Sequence, residues 1–103
     1  MEYKELFETG MSFDTFFNIA SASEKDKMKE IASVVKIKDE YIERIKKIDK
    51  KYNFLLSAES WCPYVRATVP VLMKMIEFNP NIKLSIITEG RGFKFLREKL
   101  GIP

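Results

Sequence analysis

The chain has 103 residues, 46% of them apolar, with one cysteine, no histidine and a formal net charge of +3. A chain of this length is expected to fold as one domain, 1–103, and to bury roughly two-thirds of its unfolded surface in a modest core. The missing histidine excludes a Ser-His-Asp triad, a Cys-His dyad and a zinc site within the chain, and the lone cysteine excludes an intrachain disulfide and suits a reducing, cytoplasmic setting.

The apolar runs fall far short of the ~20 residues that span a bilayer. The N-terminus, from Met1 to Glu5, lacks the basic start and apolar stretch of a signal peptide. A membrane partner is therefore not expected. Positive charge is concentrated between Glu24 and Lys51, where ten basic residues stand against seven acidic ones. The signs alternate there as on a solvated helix face. The lysines lack the aromatic platform that nucleic-acid binding needs, so no nucleic-acid partner is expected either.

Residues Glu2 to Glu8 predict a short helix with Tyr3, Leu6 and Phe7 on one side, ended at Gly10. Ser12 caps a second helix, with Asp14 in its first turn. Phe13, Phe16, Phe17 and Ala20 form its apolar stripe. Phenylalanines at helical spacing read as core or docking residues rather than as a ligand box. Ser23-Glu24-Lys25-Asp26 has the form of a capping box and opens a helix carrying Met28, Ile31, Ala32 and Val35. Asp39 opens another, with Tyr41, Ile42, Ile45 and Ile48 spaced three or four apart. Glu40 and Arg44 are placed to pair on its outer face. Residues 1–52 thus read as an all-helical leader.

Residues 53–103 change character. Phe54, Leu55 and Leu56 form an apolar run of buried-strand length, placing a strand near Asn53 to Ala58. Ser57 to Ser60 suits a turn. From about Cys62 to Phe78 the period becomes helical, with Val65, Val69, Leu72, Met73 and Ile76 recurring. Asn79-Pro80-Asn81 stops that helix, and the β-branched stretch Ile82 to Thr88 is a second strand. Gly90-Arg91-Gly92 lacks the further residues of a phosphate loop and reads as a turn. Phe93 to Leu100 is a last helix with Phe93, Leu96 and Leu100 inward, ended by Gly101. Strand, helix and strand within about 35 residues make a βαβ unit with a parallel pair and a right-handed crossover. The fold class is α/β, with N-terminal helices ahead of a βαβα unit and a small parallel sheet.

The only cysteine sits where a strand gives way to a helix. Backbone N–H groups there lack intrahelical partners, and the helix dipole favours an anion such as a thiolate. Pro63 fits the first helical turn, where a missing N–H costs nothing.

Trp61-Cys62-Pro63, after an apolar strand and at the head of a helix, resembles the active-site segment of the thioredoxin-like family. Pro70, eight residues after Cys62, matches the proline that kinks that family's active-site helix. The resemblance covers Asn53 to Pro103, and the helical half resembles the leader of bacterial "thioredoxin family proteins". It implies a partial thioredoxin-like unit of the thiol–disulfide oxidoreductase class, with Cys62 as the catalytic nucleophile. Trp61, Pro63, Tyr64, Val65 and Pro103 would line the site. No cofactor is implied, and the partner is a protein or small-molecule thiol or disulfide. The family's second cysteine falls on Val65, so the motif is the monothiol Cys-Pro-Tyr-Val. One cysteine cannot close the disulfide of a C-x-x-C pair. In that family a cis-proline follows the last helix and leads into a β-hairpin. Pro103 either occupies that position or lies just before it, and the hairpin is expected to be missing, as in a truncated domain.

Two functional readings stand side by side. In the enzymatic one, the Cys62 thiolate attacks a disulfide, and an external thiol such as glutathione resolves the mixed disulfide. Trp61 covers the site, Pro63 sets the helix start and Tyr64 lines the approach. Arg66 favours a nearby thiolate by its charge, and Glu59 disfavours one if it faces the site. In the other reading, Cys62 is a small half-buried hydrophobe in a redox-inactive interaction module, or in a domain completed by a partner chain. A two-stranded sheet with bare edges and one uncovered apolar face is poorly stable alone, so a homo-oligomer is expected.

Overall fold

A computed structural model describes residues 2–90 and 92–102. Its elements run α1 (Tyr3–Thr9), α2 (Phe13–Ile19), α3 (Ala22–Val34), α4 (Asp39–Lys46), β1 (Tyr52–Ser57), α5 (Pro63–Ile76), β2 (Ile82–Ile87) and α6 (Phe93–Leu100). The two strands are parallel, in register from Tyr52 opposite Ile82 to Ser57 opposite Ile87. This is the α/β class that the strand–helix–strand pattern predicts, with the helices ahead of it.

Successive strand residues point to opposite faces. Phe54, Leu56, Leu84 and Ile86 therefore share one face, and Asn53, Leu55, Lys83, Ser85 and Ile87 share the other. The first face meets α5, with α2 and α3 packed around it. Met11, Phe16, Ala20, Met28, Ala58, Val69 and Ile86 are buried together there, joined by the partly buried Leu56, Val65, Met73 and Leu84. The second face meets α1 and α6 through Leu6, Ile87 and Leu96, with Leu55 and Phe93 beside them. The expectation of one uncovered apolar face is thus corrected in part. With only seven residues, α1 covers the upper strand ends and leaves a cleft at Asn53, Leu55 and Lys83.

The sheet edges also differ from expectation. Met11, in the link between α1 and α2, forms an antiparallel bridge with Ile86. This supplies ladder hydrogen bonds to the outer edge of β2, which was expected to be bare. Among the described residues the outer edge of β1 has no such partner. Gly10 makes the bridge sterically possible: a Cβ there would run into the Ser85 hydroxyl. That hydroxyl donates to the Phe7 carbonyl at 2.6 Å, so the end of α1 lies directly on β2.

Several local expectations are corrected. The cap of α3 is Ser21, not Ser23: the Ser21 hydroxyl accepts the Glu24 N–H and the Glu24 carboxylate accepts the Ser21 N–H. Ser21-Ala22-Ser23-Glu24 satisfies the three-residue spacing of a capping box, and Ser23 falls inside the helix. Leu100 is 53% exposed, because the packing of α6 on Leu6 and Ile87 ends at Leu96. Among the described residues no ion pair joins Glu40 to Arg44. Asn79 does more than end a helix. It is buried, and its amide donates to the Ile45 and Ile48 carbonyls at 2.7 and 2.9 Å. Its own oxygen accepts the Asn81 N–H at 2.9 Å. One side chain therefore ties the end of α4 to the start of β2.

Candidate functional site

The site grows from the point where β1 leaves the sheet. Ala58 is buried, and its N–H donates to the Ile87 carbonyl at 3.0 Å, holding the end of the strand. The chain then turns tightly, with the Cys62 N–H donating to the Glu59 carbonyl at 3.1 Å. Cys62 follows in extended conformation as the N-cap of α5, and Pro63 takes the first helical position. The ring of Pro63 presets a helical φ and removes a donor that would have no intrahelical acceptor. The Cys62 carbonyl accepts the Arg66 N–H at 3.1 Å, the first hydrogen bond of the helix.

Cys62 is a free, half-buried thiol. A cleft of ≈ 320 Å³ lies beside it, lined by Ser57 to Glu59, Trp61, Cys62, Val65, Glu89 and Phe93. Trp61, Cys62 and Val65 are thus brought together. Val65 is half-buried and also touches the core around Val69. Pro63 and Tyr64 occupy the first turn of α5 outside this lining. Trp61 and Tyr64 are 66% and 82% exposed, so both aromatic rings stand in solvent close to Cys62 in the chain. Pro103 and Arg91 lie outside the described residues.

Two carboxylates hold the turn in place. Glu59 accepts the Glu89 N–H at 2.5 Å, joining the turn after β1 to the turn after β2. On the other side, the Ser60 hydroxyl donates to the Glu24 carboxylate at 3.0 Å. Glu24 titrates below the ordinary value of 4.5, chiefly because its carboxylate accepts the Ser21 backbone N–H, with help from Ser60 and the nearby charge of Arg66. The sequence alone assigned no site role to Glu24, Glu89 or Phe93. The capping signature at the head of α3 was the available signal for Glu24. Nothing local to the sequence points from residue 24 to residue 60.

Chemically, the arrangement offers one free thiol at a helix N-terminus, an adjacent cleft and exposed aromatic side chains. Among the described residues no three His, Cys, Asp or Glu side chains cluster to hold a metal ion. No helix among them is long and apolar enough to cross a membrane.

Comparison with known proteins places this geometry in context. A family model described as thioredoxin matches residues 10–100, which spans α2 to α6 and both strands. A protein of unknown function from Pseudomonas aeruginosa, known from a crystal structure, superposes with a TM-score of 0.91. It is 28% identical over 99% of this chain and 63% of that one. An HIV epitope-scaffold superposes with a TM-score of 0.89, also at 28% identity, over 99% of this chain and 64% of that one. The chain therefore spans less than two-thirds of the length of either structure. No curated protein matches it significantly.

Proposed function

The chain belongs to the thioredoxin family, and from that premise we propose that it is a monothiol protein of the thiol–disulfide class, with Cys62 as its nucleophile. The observation that carries this reading is the location of Cys62. It caps α5 where β1 ends, half-buried beside a cleft of ≈ 320 Å³. In the proposed reaction the Cys62 thiolate attacks one sulfur of a disulfide. A new sulfur–sulfur bond forms, the old one breaks and the second sulfur leaves as a thiolate. With Val65 in place of a resolving thiol, a second, external thiol then attacks the mixed disulfide and regenerates Cys62. Exposed Trp61 and Tyr64 offer apolar contact to the partner, Val65 walls the cleft and Pro63 sets the helix start. Pro103 is proposed as a further lining residue. A reducing cytoplasm, as in a bacterial cell, suits a lone thiol.

The experiment is exchange of the folded protein with hydroxyethyl disulfide, followed by mass spectrometry. A mixed disulfide at Cys62 that forms faster than in the urea-unfolded chain supports the reading. A Cys62 that reacts only after unfolding supports the redox-inactive interaction module instead.

The free outer edge of β1 favours a second proposal. Residues 1–103 act as one domain, with 1–52 as its helical part and 53–103 as its partial thioredoxin-like part, and two copies pair about a two-fold axis through β1. Unpaired strand edges are templates for such pairing. Light scattering at micromolar concentration tests it, and a monomer with a cooperative melt would remove the dimer while keeping the single domain.

A further inference from the structure

The turn that carries Cys62 has little packing of its own. Ala58 is buried at its start, but Trp61 is largely in solvent. On the helical side the turn is fixed by a polar contact over 36 positions of sequence, from the Ser60 hydroxyl to the Glu24 carboxylate. Glu24 is itself held. It is the third residue of α3, and the same oxygen accepts the Ser21 N–H at 2.9 Å. The helix behind it packs along α5. The charge of Arg66, one turn beyond Cys62 on α5, also bears on Glu24. The Arg66 N–H in turn donates to the Cys62 carbonyl. The turn is therefore held at Ser60 by the Glu24 carboxylate and at Cys62 by the first backbone hydrogen bond of α5.

We propose that Glu24, acting through Ser60, is a positioning residue for Cys62: the head of α3 sets the attitude of the thiol at the start of α5. This rests on the thiol–disulfide reading of Cys62. It gives the helical half of the chain a role at the site besides covering the sheet. A nucleophile must approach a disulfide sulfur along the sulfur–sulfur axis, so a loosened turn spends less time in the productive arrangement.

Four variants separate positioning from stability. Ser60→Ala removes the contact and leaves the Ser21–Glu24 capping box intact. Ser60→Thr keeps a hydroxyl, and Glu24→Gln keeps an acceptor oxygen for both donors. Ser21→Ala weakens the cap of α3 without touching the contact to Ser60. Two readouts are taken: the rate of Cys62 exchange with hydroxyethyl disulfide, and hydrogen exchange of the Cys62 amide. Ser60→Ala is expected to slow thiol exchange by about threefold to tenfold, less than the ~100-fold that a 1 Å misplacement can cost, and to speed amide exchange by a similar factor. Ser60→Thr and Glu24→Gln should stay near the parent. Ser21→Ala should lower the melting temperature and leave both readouts unchanged. The proposal is overturned if Ser60→Ala leaves the Cys62 amide as protected as in the parent, or if Ser21→Ala moves both readouts equally. A parent protein that does not exchange with the disulfide at all overturns the thiol–disulfide reading, and the amide measurement alone then decides whether the Glu24–Ser60 contact positions Cys62.

Discussion

Met11 and Ile86 exchange a pair of backbone hydrogen bonds, N–H to carbonyl in each direction, both 2.8 Å. This antiparallel bridge brings the link between α1 and α2 to the outer edge of β2, so β2 lies between β1 and Met11. The Met11 side chain is buried in the same cluster as Phe16 and Ile86. The residue therefore contributes both a ladder partner and core volume.

The two contributions separate by substitution. Met11→Ala keeps the N–H and removes the side chain, at an expected cost of about 2–5 kcal/mol. Met11→Pro also removes the donor and leaves the Ile86 carbonyl without its partner. It should cost at least about 1 kcal/mol more. Urea unfolding of the two variants measures the difference, and equal midpoints would show that the bridge adds nothing to stability.

Gly10 should be intolerant of a side chain for a steric reason. Its φ of −67° is open to any residue, so the constraint is space: a Cβ would strike the Ser85 hydroxyl. Gly10→Ala is expected to destabilise by about 1–3 kcal/mol. Ser85→Ala removes the obstructing oxygen, so Gly10→Ala should cost less in that background. A double-mutant cycle reads this coupling, and strictly additive effects would contradict it.

Val65 stands three residues after Cys62, where side chains at that spacing meet on one helical face. Both line the same cleft. Val65→Cys should therefore form an intramolecular disulfide under mild oxidation, seen as the loss of two titratable thiols in a monomeric product. The variant should also catalyse insulin reduction by dithiothreitol where the parent does not. If no internal disulfide forms, the thiol does not face the cleft as described.

Acid should weaken the fold through two carboxylates. Glu24 is held below the ordinary 4.5, first by the Ser21 backbone N–H. Glu2 is held below it first by the hydrogen bond from Lys99, at 3.0 Å. A carboxyl with a lower pKa in the folded state binds fewer protons there than in the unfolded chain. Its contribution is complete above the unfolded value and is lost as pH falls through the folded one. Stability in urea should decline below about pH 4.5, and the double variant Glu2→Gln, Glu24→Gln should show a shallower decline. Salt should weaken the exposed Glu2–Lys99 share and, to a smaller extent, the part of the Glu24 share that comes from the charge of Arg66.

The amino-acid sequence by itself determined the order and kind of the elements. Apolar residues of α5 recur at the helical period, Ile82 to Ile87 carries a β-branched strand, and Asn79-Pro80 must break whatever precedes it, because these are local properties of the backbone. It also placed Cys62 between a strand and a helix, and Trp61-Cys62-Pro63 carried the family likeness. What only the tertiary structure decided are contacts between positions far apart in the chain: Met11 on the edge of β2, Gly10 against Ser85, Asn79 on the end of α4, and Glu24 on the turn that carries Cys62. Each depends on one or two hydrogen bonds or on one absent methyl group. Such contacts leave no periodicity in a sequence, because their partners are set by how the helices pack on the sheet rather than by their neighbours along the chain.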